Sequence, residues 1–187
     1  MPKTVYQLKI VLRGIKPPIW RRVLLPEDAT IRILHETVQV AMGWYNCHLH
    51  QFLIHGREYG ISYEGGTSFC DHPDQVKLKD FGFQPREKFE YTYDFGDNWE
   101  HVIHVEKVLA FDPLQAYPVC IGGARSGPPE DSGGPWQFMM LEKKKHSRQS
   151  SGKQKVEDKV DFEAINFLLR DLQSGWFKRS DETANNL

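Results

Sequence analysis

Residues 91–108, YTYDFGDNWEHVIHVEKV, form the stretch around which the rest of the chain is organised. In its first half aromatic residues alternate with polar ones, and in its second half apolar residues and histidines do the same. This is the period-two pattern of half-buried strands. Between the halves, residues 95–98 read FGDN, a composition that favours a tight turn because Gly, Asp and Asn tolerate positive φ or bond their own backbone. The stretch therefore predicts a central β-hairpin.

The flanking sequence extends this hairpin into a sheet. Residues 5–13 and 19–25 both alternate and are separated by a short Gly- and Pro-containing turn, which predicts a second hairpin. Residues 30–42 repeat apolar side chains at helical spacing until Gly43, which predicts an early helix packed on the sheet. Strand runs joined by short turns, without regular strand–helix alternation, predict an α+β fold with a mostly antiparallel sheet of about five to seven strands.

Length and composition predict a single hydrophobic core followed by a C-terminal tail. The chain has 187 residues, of which 40% are apolar, enough for one well-buried domain. We expect a single α+β domain over residues 1–142, a basic and flexible segment over 143–159, and a C-terminal helix and tail over 160–187, with helices after about residues 135 and 160. The basic segment could attract phosphates or serve as a solvated linker.

Cysteine usage and hydropathy predict a cytoplasmic protein with no membrane partner. The three cysteines are widely spaced and contain no CxxC pair, which argues against a disulfide framework and for a reducing compartment. No run approaches the roughly 18 apolar residues of a membrane-spanning helix, and the N-terminus lacks a signal-peptide core. The net charge of −1 gives no global case for binding nucleic acid, although a local basic patch remains compatible with it.

Candidate site residues gather in two motifs, HLH at 48–50 and DFGDNWEH at 94–101. Both lie where a strand begins or turns, the positions from which a sheet presents side chains to a ligand. A spacing of two in a strand places two imidazoles on one face, where they can chelate a metal if further ligands converge. Asp at a turn is equally explained by local hydrogen bonding. We expect six residues to lie together and to form a binding site: His48, His50, Asp94, Asp97, Trp99 and His101.

Two functions fit these residues. The first is a binding module that presents this aromatic and polar surface to a protein or a nucleic acid, without a required cofactor. The alternative is a hydrolase-like enzyme in which the histidines, with Asp94 or Asp97, bind a divalent metal that activates water. The HExxH and GxSxG motifs are absent, and the glycine-rich residues 120–134, predicted to be a loop, contain no phosphate-loop pattern.

Five motifs carry a resemblance to a known family: PPIWRRVLLP, AMGW, HLHQFLIHGREYG, YDFGDNWEH and YPVCIGGARSGPPEDSGGPW. In this order, through most of residues 4–142, they resemble the plasmid pRiA ORF-three-like family. The resemblance implies a single α+β domain, found in bacteria and archaea and often encoded near plasmid or mobile-element genes. Some relatives carry a label of transposon resolution, but this chain shows no recombinase constellation. Many relatives have cysteines at the positions of Gly127 and Ser132 after the shared Cys120, so a three-thiolate loop is not expected here.

Overall fold

The computed structural model describes residues 3–60, 74–149 and 159–172. Within these residues it contains seven strands, three α-helices and one short 3-10 turn at Leu78–Phe81. The strands are β1 (Thr4–Leu12), β2 (Trp20–Pro26), β3 (His50–Ile54), β4 (Arg57–Gly60), β5 (Lys88–Tyr93), β6 (Trp99–Ala110) and β7 (Val119–Ala124). The helices are α1 (Ile31–Met42), α2 (Gly134–Gln149) and α3 (Phe162–Leu172). The α+β prediction is confirmed.

All strands form one antiparallel sheet in the order β4-β3-β5-β6-β1-β2-β7. The predicted central hairpin is β5–β6, and it joins the two halves of the sheet, because β3 pairs with β5 while β1 pairs with β6. The hairpins β1–β2 and β3–β4 extend the sheet on either side of it. Consequently the turn of residues 94–98 lies near the middle of one end of the sheet.

One face of the sheet carries the core, and α1 packs on it. Alternate side chains of β1, β5 and β6 are buried, as the period-two pattern requires. Helix α1 begins at the cap Thr30, whose hydroxyl accepts from the amide of Ile33 (3.3 Å). It ends at Gly43, whose φ of 83° is the left-handed conformation that favours glycine. The buried Arg21 donates from Nε to the carbonyl of Ala41 (2.7 Å), satisfying a carbonyl of the last turn.

The glycine-rich region differs from its predicted conformation at its start. We expected a loop over residues 120–134, but Val119–Ala124 forms the edge strand β7, paired with β2. One of the glycines that suggested a loop, Gly123, is needed for this pairing. A Cβ on Gly123 would lie 2.9 Å from the carbonyl oxygen of Trp20, so any larger residue would push the strands apart. The loop itself begins after Ala124.

The C-terminal helices complete the same core. On α3, Leu169 and Leu172 are buried, and the side chain of Asn166 pairs with the backbone of Cys120: Oδ1 accepts from its amide (2.7 Å) and Nδ2 donates to its carbonyl (2.9 Å). The carboxamide thus satisfies part of the free edge of β7.

We expected residues 143–159 to be flexible, but α2 extends through the first part of this segment, to Gln149. Residues 150–158 lie outside the described part of the chain. No helix within the described residues is long and apolar enough to cross a membrane.

Candidate functional site at the end of the central hairpin

Asp94 builds the hairpin turn. It adopts a left-handed backbone conformation (φ 54°), which Asp tolerates better than most residues. Its Oδ1 accepts from the amides of Gly96 (3.0 Å) and Asp97 (3.2 Å), so one carboxylate oxygen is consumed by the turn. The other oxygen, Oδ2, points toward His48. Oδ1 of Asp94 therefore stabilises the turn, as the local interpretation requires, and Oδ2 is the oxygen that the ligand interpretation requires.

The hydroxyl of Tyr93 connects the hairpin with two loops. It accepts from the amides of Cys47 (3.0 Å) and His48 (3.3 Å), and it donates to Oε1 of Glu130 (2.5 Å). Burial, together with the bond to Glu130 and its negative charge, raises the pKa of Tyr93 above its ordinary value. The phenol therefore stays protonated and remains a donor to Glu130. Through it, the loop before β3 and the glycine-rich loop are held at the same end of the sheet.

Further hydrogen bonds fix the glycine-rich loop, residues 125–133. Trp44 donates from Nε1 to the carbonyl of Pro128 (2.8 Å), and the amide of Tyr45 donates to Oε2 of Glu130 (3.1 Å). At the far end of the loop, the amide of Gly133 donates to Oδ2 of Asp97 (2.9 Å). Asp97 is therefore engaged in attaching the loop to the hairpin.

Three side chains that could hold a metal ion, His48, Asp94 and Asp131, come together where these loops meet. His48 Nε2 lies 3.2 Å from Oδ1 of Asp131 and 3.8 Å from Oδ2 of Asp94. One ligand atom from each residue lies within 4.8 Å of the other two. Ligands at about 2.1 Å from a zinc ion with tetrahedral angles are about 3.4 Å apart, so the two histidine distances bracket the spacing of a shared ion. The side chain of Asp94 is 10% exposed and that of Asp131 is 78% exposed, so one side of the cluster is open to solvent.

His50, Trp99 and His101 lie in a different layer from this cluster. All three are buried on the core face of the sheet. His50 stacks on His35 of α1 with ring centroids 3.5 Å apart, and His101 packs against Trp44 and donates from Nδ1 to the carbonyl of Tyr91 (3.3 Å). In the described part of the chain, Nε2 of His50, Nε1 of Trp99 and Nε2 of His101 have no hydrogen-bond partner. The two imidazoles of HLH therefore diverge, because β3 begins only at His50.

The buried histidines are neutral. Burial lowers the pKa of His35 to about 4 and that of His101 to about 4, and it lowers the pKa of His50 as well, with the neighbouring His35 acting in the same direction. His35 Nε2 donates to Oδ1 of Asn46 (2.7 Å), which leaves Nδ1 to accept from the hydroxyl of Tyr91 (2.8 Å). These groups form a polar network inside the core and are not ligands of the surface cluster.

Two carboxylates of the cluster region were missed by sequence reasoning. Glu130 and Asp131 lie on the glycine-rich loop and were not among the residues predicted to form the site. The signal is the run PPEDSGG: stiff prolines and glycines of positive φ flank the two acids, and Gly133 has φ 81°. Their proximity to His48 depends on tertiary contacts that spacing alone does not encode.

Cys47, beside the cluster, does not have the properties of a reactive thiol. Protein atoms around the exposed Cys47 displace part of the water from its thiol and raise its pKa, and the negative charges of Glu130 and Asp131 add to the rise. Thiolate nucleophiles need the opposite environment, one with nearby positive charge.

Comparisons with known proteins agree with this fold. The family model for "Plasmid pRiA4b ORF-3-like protein" matches residues 4–168. The chain is 34% identical over 139 residues to the uncharacterized protein y4hQ of Sinorhizobium fredii (strain NBRC 101917 / NGR234), over 74% of this chain and 71% of that protein. The crystal structure of MM3350, a protein of unknown function from Methanosarcina mazei Go1, is similar with a TM-score of 0.74 and 34% identity, covering 88% of this chain and 97% of that one.

Proposed function

This chain belongs to the plasmid pRiA4b ORF-3-like family, and we propose that it serves as a metal-dependent binding module whose divalent cation is held by His48, Asp94 and Asp131. The single observation that carries the proposal is the convergence of these three ligand atoms at the hairpin end. An imidazole with two carboxylates suits a divalent transition ion such as Zn²⁺.

The charges of the cluster favour a bound cation over ion pairs of His48 with the two carboxylates alone. Two carboxylate oxygens lie within 4.8 Å of each other, and Glu130 is on the same loop as Asp131. Like charges at this distance repel, and one imidazole compensates for at most one of them. A divalent ion would neutralise both and bind His48 in its neutral form.

The surroundings of the cluster fit the binding of a partner. Three protein ligands leave coordination positions open for a donor atom of a second molecule. Residues near the ligands in the chain expose apolar surface: Tyr45, three residues before His48, is 76% exposed, and Phe95, next to Asp94, is 44% exposed. A charged centre beside exposed aromatic side chains is the composition from which interface hot spots are built.

Metal titration of purified protein tests the proposal. Isothermal calorimetry with Zn²⁺ is expected to show one site in the native protein and none in Asp131→Asn, whose side chain contacts His48 and is otherwise exposed. Asp97→Asn is the matched control, because it removes the same charge from the same end of the sheet while retaining an oxygen for Gly133. Equal Zn²⁺ affinity in all three proteins would contradict the proposal.

Metal-dependent hydrolysis is the second candidate, favoured by the same open coordination positions, at which water could be activated. It predicts turnover of a phosphodiester or ester by the zinc-loaded protein that disappears in Asp131→Asn. Zinc binding without turnover of either substrate class would favour the binding module.

A further inference from the structure

A row of basic side chains crosses the face of the sheet opposite α1. Four adjacent strands contribute one residue each at the same level: Lys88 on β5, His104 on β6, Lys9 on β1 and Arg22 on β2. The pairing register sets Lys88 opposite His104, His104 opposite Lys9, and Lys9 opposite Arg22. With neighbouring strands about 4.8 Å apart, this basic row is about 15 Å long.

The basic row is only partly neutralised. Glu106 accepts from Nε (2.6 Å) and Nη2 (2.8 Å) of Arg22, and these bonds lower the pKa of Glu106 to about 2. Lys9 lies directly opposite Arg22, and like charges in direct cross-strand positions destabilise a sheet. The single carboxylate of Glu106 therefore faces more than one cation, and the row keeps a net positive charge.

A shallow cavity of about 860 Å³ extends from the row. Arg86 and Lys107 add two more cations to its lining, while Glu106, already engaged by Arg22, is its carboxylate. Trp20, half-buried, lies on the same face, and the cations of Lys9 and Arg22 lie 4.8 and 5.1 Å from the centre of its ring. The cavity therefore gathers several positive charges, and the Trp20 ring lies next to two of its lining residues, Lys9 and Arg22.

We propose that this basic row and its cavity bind the phosphate backbone of single-stranded nucleic acid. Charge complementarity selects a ligand with several phosphates, because the cations are spread over about 15 Å, more than one nucleotide spans. A sheet face with cations and an aromatic ring is suited to single strands, whose bases are free to stack, whereas duplex readout needs an element that enters a groove. The site lies on the outer sheet face and does not involve the metal cluster.

Fluorescence anisotropy with a labelled 15-residue oligothymidylate tests this proposal at 50 mM and 200 mM salt. The double variant Lys9→Gln with Lys107→Gln removes two cations from the cavity. The control, Lys16→Gln with Lys79→Gln, makes the same change in net charge at exposed positions elsewhere. Circular dichroism of both variants confirms that they fold.

The native protein and the control are expected to bind with the same affinity. The cavity variant should bind at least tenfold more weakly, and the salt slope should fall by about 1.4, or about 0.7 for each phosphate that is no longer neutralised. The proposal is overturned if the native protein does not bind the oligonucleotide, if both double variants bind equally weakly, or if a mononucleotide competes as well as the oligomer. Binding that persists in EDTA separates this surface from the metal cluster.

Discussion

Removal of the Tyr93 hydroxyl should both destabilise the protein and loosen the metal cluster. Tyr93→Phe deletes the bond to Glu130 and the two bonds from the amides of Cys47 and His48. A bond to a charged partner contributes about 1.5–3 kcal/mol and a neutral bond about 0.5–1.5 kcal/mol. Because Cys47 is exposed and Glu130 is partly exposed, water replaces much of what these bonds supply, so we expect the free energy of unfolding to fall by about 2–3 kcal/mol.

Urea unfolding followed by tryptophan fluorescence measures this decrease, and the melting temperature should fall by roughly 5–10 °C. The matched control is Tyr117→Phe, which deletes a hydroxyl from another buried tyrosine, one that makes no hydrogen bond with the described residues through that group. Tyr93 also positions His48, so Zn²⁺ affinity should fall about tenfold in Tyr93→Phe. A decrease below about 0.5 kcal/mol, equal to that of the control, would refute the role assigned to this hydroxyl.

Three further predictions concern the core and the loop. The free energy of unfolding should fall as the pH is lowered from 6.5 toward 4. In this range His35 and His101 bind protons in the unfolded chain but not in the folded protein, where their pKa values are about 4, so each lowers stability by up to about 1.4 kcal/mol per pH unit. Urea midpoints that are unchanged between pH 7 and pH 5 would contradict this. Gly127→Ala should lower the free energy of unfolding by at least about 2 kcal/mol, because its Cβ would lie 1.9 Å from the carbonyl oxygen of Met42. A native-like melting curve would show that the loop moves freely. Asn166→Asp keeps the acceptor and loses the donor toward the β7 backbone, so it should destabilise by about 1–3 kcal/mol, whereas unchanged stability would mean that α3 is held by its apolar contacts alone.

Much of the fold could be predicted from local patterns. Alternation identified β1, β2, β5 and β6, and helical spacing with a terminal glycine identified α1, because both patterns are written in neighbouring residues. The strand β7 was missed since its signal is weak: Gly122 and Gly123 suggest a loop, and only the close approach of Trp20 shows why glycine is required in a strand.

The candidate site was predictable only in part for a related reason. His48 and Asp94 were identified because they are polar residues in motifs where a strand begins or turns. Asp131, 37 residues beyond Asp94, joins them through the bonds that attach the glycine-rich loop to Tyr93, Trp44 and Asp97. His50 and His101 share the motifs but face the core, because alternation along each strand directs them inward.

Anomalous diffraction at the zinc absorption edge, from crystals grown with Zn²⁺, is the measurement that tests the metal-dependent binding module most directly. We predict a peak about 2.0–2.2 Å from Nε2 of His48, Oδ2 of Asp94 and Oδ1 of Asp131, with water or a partner's donor atom completing the coordination. Density that shows these three side chains joined by hydrogen bonds alone, with zinc at saturating concentration and no anomalous peak between them, would contradict it.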